Sequence, residues 1–332
     1  MKVRFANYRT KPRIFQFDDG LIAEAMRRHS DVAARVNVSI DHDLEDLEGL
    51  KTADVLVTSN DVVRDPRFPR ERLAEYAPSL RWIHLIGAGL EPLLPLSWLP
   101  PKVTLTNNSG VHVRKTREFA QMALLMLNAR VPQILTNQRE ARWQQVFTPS
   151  IEGKTLAVIG VGDMGGAAAN RGKRLGLHVL GVRREVRPHD DVDEMFPTSE
   201  LMSVLPRADF VYVSVPLTPA TRFLIGKAQL DAMKRDASLV NVSRAGVIDY
   251  DVLREKLIAG ELAGAILDVF DPEPLPSSSP LWSTPNLIVS PHVSSDDVDT
   301  YMALTLDLVC ENLARLLAGK PLANQVDPSR GY

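Results

Sequence analysis

Short apolar runs recur along the chain, separated by segments whose apolar positions fall three and four residues apart, and this alternation predicts strands alternating with helices. In the first ~105 residues the runs are Val3-Arg4-Phe5-Ala6, Asp54-Val55-Leu56-Val57-Thr58, Arg81-Trp82-Ile83-His84-Leu85-Ile86 and Val103-Thr104-Leu105-Thr106. Residues 113–130 have helical apolar spacing and are predicted to stop before Pro132. A second series begins at Thr155, with strands predicted at 155–159, 178–182, 210–215, 238–242, 264–268 and 287–290. A last helix is predicted to be capped by Ser294, with Asp297 three residues on, and to end near Gly319-Lys320-Pro321.

The first strand of the second series, Thr155-Leu156-Ala157-Val158-Ile159, runs into Gly160-Val161-Gly162-Asp163-Met164-Gly165, which opens a small-residue helix through Leu175. Three glycines at this spacing have separate steric uses. Gly160 permits a tight turn, Gly162 lets the backbone approach a pyrophosphate, and Gly165 lets the helix pack on its strand. The helix start then offers free N–H groups and the positive end of its dipole to the phosphates, with Asp163 and Met164 in its first turn. Glycines also mark ordinary turns, but strand–turn–helix–strand periodicity on both sides favours dinucleotide binding here.

Length and composition narrow the field. A chain of 332 residues predicts about two domains. A net charge of −2 leaves no basic footprint for nucleic acid. No apolar stretch approaches the ~20 residues that span a bilayer, and Met1-Lys2-Val3-Arg4-Phe5-Ala6-Asn7 has no signal-peptide core, so the cytoplasm is the expected compartment. The single cysteine, Cys310, sits at helical spacing among Leu306, Val309 and Leu313 and reads as a core residue. No pair of histidines has metal-ligand spacing, so no metal is expected, and Asp190-Asp191-Val192-Asp193-Glu194 reads as a solvated acidic turn.

Four further stretches carry a resemblance. Asn241-Val242-Ser243-Arg244, Asp268-Val269-Phe270-Asp271-Pro272-Glu273-Pro274-Leu275, Ser290-Pro291-His292 and the tail Pro321-Leu322-Ala323-Asn324-Gln325-Val326-Asp327 resemble the D-isomer-specific 2-hydroxyacid dehydrogenases, in that family's order and spacing. Gly87-Ala88-Gly89 and Thr106-Asn107-Asn108-Ser109-Gly110-Val111-His112 extend the likeness over nearly the whole chain. It implies an α/β protein of two Rossmann-like, doubly wound parallel-sheet domains. One is a discontinuous, flavodoxin-like substrate domain of residues 1–105 and 293–332; the other is a dinucleotide-binding domain of residues 106–292, with the active site in the cleft between them. It implies cofactor contacts at Gly160, Gly162, Asp163, Met164, Gly165, Arg183, Arg184, Val215, Pro216, Val242, Ser243, Arg244, Asp268 and His292, and substrate contacts at Gly87, Ala88, Gly89, Arg244 and His292.

The chemistry also follows from residue types. Reducing a 2-keto acid needs a hydride donor, a cation for the carboxylate and carbonyl oxygen, and an acid for the developing alkoxide. Arg244 suits the cationic task, because its planar fork holds a carboxylate at two points. His292 suits the acid's task, since histidine exchanges protons near neutrality, and Glu273 on the other ring nitrogen would favour the imidazolium and fix the ring. The resemblance assigns these same roles. Taken singly, each residue reads as a surface cation, a solvated loop acid or a strand terminator; their ordered occurrence beyond a dinucleotide turn favours catalysis.

Cofactor choice departs from the common pattern. About 20 residues beyond the glycines, where a NAD site places an acid on the ribose hydroxyl, the chain has Gly181-Val182-Arg183-Arg184 and no carboxylate before Glu185. Two guanidinium groups there predict NADP(H) over NAD(H). Ala245 follows the arginine where the family more often has glycine, and Val293-Ser294-Ser295-Asp296 is more polar than the usual small-residue run. The expected activity is hydride transfer between NADP(H) and a small 2-keto or D-2-hydroxy acid, and a bulky Trp282 beside the cleft would favour glyoxylate or hydroxypyruvate. A dinucleotide-sensing, corepressor-like binding protein is the alternative. The family's habit of pairing through the nucleotide domain implies a homodimer, for which residues 119–131 offer an apolar helix face that equally suits an internal hinge.

Overall fold

The computed structural model describes residues 1–328; the last four residues of the expected substrate domain, 329–332, lie outside the described residues. The chain divides into two compact units, one of residues 1–112 together with the chain from Asp297 onward, the other Val113–Asp296. The expected edges lay a few residues away, at 105/106 and 292/293. Residues 106–112 join the first unit because Asn108, fully buried, donates from Nδ2 to Ile86 O at 2.8 Å and to Thr305 Oγ1 at 2.8 Å.

The first unit is a five-stranded sheet of Lys2–Asn7 (β1), Asn37–His42 (β2), Val55–Thr58 (β3), Trp82–Leu85 (β4) and Thr104–Thr106 (β5), all parallel, in the order β2-β1-β3-β4-β5. That is the flavodoxin-like order. Alternate residues supply two cores: Val3, Phe5, Val55 and Val57 face the helices Asp19–Arg28 and Tyr301–Leu317, while Leu56, Ile83 and Leu85 face the other side. Burial on both faces is why these strands read as continuous apolar runs. Cys310 belongs to the first of those cores, as expected.

Strand β2 was not legible in the sequence. It is an edge strand, and its buried residue is Asp41, paired with the buried Arg4 at 3.1 Å, so the apolar alternation is interrupted where the strand is most buried.

The second unit is a seven-stranded parallel sheet of Thr155–Ile159 (β6), His178–Arg183 (β7), Glu194–Pro197 (β8), Phe210–Val213 (β9), Ser238–Asn241 (β10), Gly264–Leu267 (β11) and Leu287–Val289 (β12). The order is β12-β11-β10-β9-β6-β7-β8, with every pair parallel. The winding reverses between β6 and β9, the switch point at which such sheets bind ligands beyond their strand ends. Leu156 and Val158 face one core, Ala157 and Ile159 the other.

The helix from Val113 stops before Pro132 as expected, ending at Asn128, and Pro132 sits in the first turn of a second helix, Val131–Arg139, after Arg130 turns left-handed at φ 57°; proline is tolerated in a first turn, where its missing N–H is not needed. Two sequence expectations need correction. The acidic stretch at 190–194 is structured: Asp193 binds Lys173 Nζ at 2.6 Å and the Val179 amide at 2.7 Å, and Glu194 begins β8. Ser294 does not cap the last helix, which starts at Tyr301; Asp297 accepts from the Thr300 amide at 3.1 Å instead.

Candidate active site

Each predicted site residue of the second unit lies at or beyond the carboxyl end of a strand. After β6, Gly160 adopts φ +96°, and a Cβ there would stand 2.7 Å from Val215 Cγ1 and 2.8 Å from Ser214 O. A Cβ on Gly165 would lie 1.8 Å from Gly160 O, so the helix Asp163–Arg174 approaches its strand more closely than any side chain allows. Gly162 differs: a Cβ there would meet nothing within 4 Å. The protein does not need that glycine for its own packing, and the open space beside a helix start, with the amides of Asp163 and Met164 in the first turn, fits a pyrophosphate. Sequence reasoning missed Ser214, whose hydroxyl donates to Gly160 O at 2.8 Å and holds the turn.

Val215 and Pro216 follow β9, half-buried and exposed, and Val242 and Ser243 follow β10, both buried. Arg183 ends β7, half-buried, its side chain without a hydrogen bond or ion pair among the described residues, whereas Arg184 is exposed near Glu185, at 3.9 Å. Glu185 also pairs with Arg187.

Arg244 is extended at φ −144° and half-buried, and its Nη1 donates to Ser243 O at 2.6 Å. Ala245 does not take a positive φ, so alanine after the arginine needs no glycine conformation. Glu273 and His292 meet: Glu273 Oε2 lies 2.8 Å from His292 Nδ1, while Oε1 accepts from the Phe270 amide at 2.8 Å. An ionised carboxylate only accepts, so the geometry places a proton on Nδ1. Nε2 is left without a partner among the described residues, on a ring whose side chain is 43% exposed. A ring anchored through one nitrogen and open at the other can pass a proton through the open one.

Asp268, fully buried, accepts from Ser290 Oγ at 2.7 Å, the Val293 amide at 3.0 Å and the Ser294 amide at 3.1 Å. Its carboxylate fixes the backbone that carries His292. Trp282 is half-exposed and tied to its own loop, its indole N–H donating to Pro276 O at 2.8 Å.

In the first unit, Gly87, Ala88 and Gly89 follow β4. Their carbonyls are all taken: Gly87 O by the Asn108 amide at 3.2 Å, Ala88 O by Asn107 Nδ2 at 3.0 Å, and Gly89 O by Asn60 Nδ2 at 2.8 Å. Their three amide N–H groups have no partner among the described residues, and a Cβ on Gly87 would meet nothing within 4 Å. Successive free amides suit an anion. Below this loop His84 is fully buried, and burial pulls its titration down to about 4. It is therefore neutral near pH 7, with Nδ1 2.9 Å from Thr106 Oγ1, which also receives the Trp82 indole N–H.

Residues 121–294 match the family model described as the NAD binding domain of D-isomer specific 2-hydroxyacid dehydrogenases. A glyoxylate reductase from Korarchaeum cryptofilum is 33% identical over 290 residues, covering 85% of this chain and 85% of its own length. Among solved structures, a D-isomer specific 2-hydroxyacid dehydrogenase from Xanthobacter autotrophicus Py2, in complex with NADPH and MES, is 28% identical with a TM-score of 0.82, covering 99% of both chains. An NADPH-dependent glyoxylate/hydroxypyruvate reductase from Sinorhizobium meliloti, in complex with NADP and sulfate, is 25% identical with a TM-score of 0.81 over 100% of both.

Proposed function

The chain belongs to the D-isomer specific 2-hydroxyacid dehydrogenase family, an oxidoreductase acting on CH–OH groups, and from that premise we propose that it reduces a small 2-keto acid of the glyoxylate or hydroxypyruvate type with NADPH. The observation that carries the proposal is the His292–Glu273 contact at 2.8 Å, which leaves His292 Nε2 free, in the unit that bears the dinucleotide turn.

The bound nicotinamide would supply the hydride; the chain's own groups do the rest. Arg244 binds the substrate carboxylate and draws charge from the carbonyl, His292 Nε2 delivers the proton to the alkoxide oxygen, and Glu273 holds the ring's orientation through Nδ1. The free amides of Gly87, Ala88 and Gly89, in the first unit, are proposed as substrate contacts. Arg183, without a protein partner, supports the preference for a 2′-phosphate; Arg184 shares the charge but already has Glu185 beside it.

The oligomer is proposed as a homodimer through the second unit, where the buried side of the helix at residues 119–131 belongs to that unit's own core and its exposed side is left for a partner. Phe119, Ala120, Ala123, Leu124 and Leu127 are buried in that unit's own core. The exposed apolar groups are Met122, Leu125, Ile134 and, on the extended stretch after Arg139, Trp143 at 96% and Phe147 at 85% exposure. Light scattering at micromolar concentration checks this: a monomeric mass refutes it. No helix among the described residues is long and apolar enough to cross a membrane; the cytoplasm is the proposed compartment, checked by fractionation.

The test of function is nicotinamide absorbance with purified protein, NADPH and NADH, and a panel of glyoxylate, hydroxypyruvate and bulkier keto acids. Turnover on the two small acids, faster with NADPH, is the expected result. Absence of turnover on every member, with dinucleotide bound, refutes it.

A further inference from the structure

Arg244 and the Glu273–His292 pair lie on different loops, after β10 and after β11 and β12, and a single chain of hydrogen bonds runs between them. It starts at Asn241, the last residue of β10, which is fully buried. The Asn241 amide group has two donor hydrogens and two acceptor lone pairs, and all four are used. Nδ2 donates to Arg244 O at 3.1 Å and to Tyr250 Oη at 2.8 Å. Oδ1 accepts from the Ser243 amide at 3.0 Å and the Ser243 hydroxyl at 2.7 Å. The turn that presents Arg244 is thus wrapped around one side chain.

Tyr250 opens the helix Tyr250–Ile258, whose start is fixed by Asp249 accepting from the Val252 amide at 3.2 Å. Its hydroxyl, having accepted from Asn241, donates to Val269 O at 2.9 Å, and its ring meets Phe270 edge-on at 6.3 Å. The next amide along, that of Phe270, is the one that holds Glu273 Oε1.

We propose that Asn241 and Tyr250 are positioning residues that tie the Arg244 turn to the Glu273 loop, so that the carboxylate clamp and the proton-donating pair are held in register as one piece. The proposal rests on the catalytic reading of Arg244, Glu273 and His292 given above. Neither residue touches a reacting atom; each acts through the backbone it holds.

Tyr250→Phe is the test, because it removes the hydroxyl and keeps the ring against Phe270. Misplacing catalytic groups by a fraction of an ångström is expected to lower keto-acid kcat/KM about tenfold or more, with the NADPH dissociation constant within about twofold of wild type. Asn241→Asp, which can still accept from Ser243 but cannot donate to Arg244 O, should raise keto-acid KM more than it lowers kcat. Leu257→Ala, a cavity two turns along the same helix from Tyr250, is the control: it destabilises the fold while the folded enzyme keeps its kinetic constants.

A merely structural tyrosine would behave like that control. The second readout is non-additivity: in a Glu273→Gln background, Tyr250→Phe should cost less in kcat than it does alone, because both act through the placement of one carboxylate. Wild-type kcat/KM in Tyr250→Phe, or losses that simply multiply in the double variant, overturns the proposal. If His292→Ala is inactive while Tyr250→Phe is normal, the bridge alone fails; if His292→Ala turns over normally, the catalytic reading beneath it fails.

Discussion

Alanine substitutions at the three glycines of the turn should separate fold from function. At Gly165, the added Cβ falls 1.8 Å from Gly160 O and 2.7 Å from Ser214 Oγ, and neither backbone nor a hydroxyl anchored to that backbone can retreat cheaply. The helix must shift by more than about 1 Å, an overpacking cost at the upper end of the usual range, about 3 kcal/mol. In a unit of this size that corresponds to a fall of roughly 10 °C in Tm. Gly160→Ala should behave similarly, because it combines a left-handed φ of +96° with the contacts to Val215 and Ser214. Gly162→Ala meets nothing within 4 Å, and its φ of −104° is open to alanine, so Tm should move by no more than about 3 °C, the cost of a poorer N-cap. Its Cβ nevertheless projects into the space assigned to the pyrophosphate. NADPH affinity, followed by quenching of protein fluorescence, should fall at least about tenfold, or about 1.4 kcal/mol. Wild-type affinity in a folded Gly162→Ala protein would refute the placement of the phosphates, and an unchanged Tm in Gly165→Ala would refute the steric argument.

His292→Ala should lower kcat by about 10²–10⁴-fold with NADPH binding retained, whereas Arg244→Ala should damage both KM and kcat; single-turnover kinetics and fluorescence titration tell them apart, and full turnover in His292→Ala sinks the mechanism. Glu273→Gln should lower kcat less than His292→Ala does, with NADPH binding retained, because the ring loses the carboxylate that orients it through Nδ1; an unchanged kcat removes Glu273 from the catalytic set. Arg183→Asp should lower kcat/KM with NADPH while kcat/KM with NADH holds or rises, and an unchanged ratio overturns its assignment. His84 titrates at about 4 in the fold against about 6.5 when unfolded, so its contribution is fully present above pH 6.5 and is lost as pH falls toward 4, by about 3 kcal/mol in all. His84→Gln should flatten the urea-derived stability between those limits, and a slope equal to wild type refutes the assignment.

The parts of the fold legible in the sequence were those whose local and tertiary demands agree. Strands β6 and β9 to β11 are buried on both faces, so Leu156 to Ile159 show an unbroken apolar run that admits little else. Strands β2 and β8 sit on sheet edges with Asp41, Glu194 and Pro197 in them, and no local pattern distinguishes them from loops. The chemistry was visible as residue types in order, but the supports were not. Asn241 stood in the quoted Asn-Val-Ser-Arg stretch, yet nothing there says that its amide would be saturated by Arg244, Ser243 and Tyr250. Ser294 beside Asp297 satisfied a capping pattern, and lost to a buried carboxylate far away in sequence that binds its amide.

That carboxylate explains how the histidine is aimed. His292 is left-handed at φ 55°, a conformation that costs a side-chain-bearing residue of order 1 kcal/mol and persists only where its surroundings fix it. Asp268 fixes the backbone on both sides, through Ser290 before the histidine and through the Val293 and Ser294 amides after it. Asp268 immediately follows β11, and β11 pairs directly with β12, Leu267 opposite Val289, so the acid and the histidine loop are neighbours by sheet register. Glu273, from the same loop as Asp268, then takes the ring through Nδ1. One strand end thus supplies two carboxylates with separate tasks, a buried one that bends the main chain and a half-exposed one that orients the ring. Three protein donors already occupy the oxygens of Asp268, so its expected part at the cofactor must be played alongside this structural one, whereas Glu273 is left to respond to the charge on the imidazole.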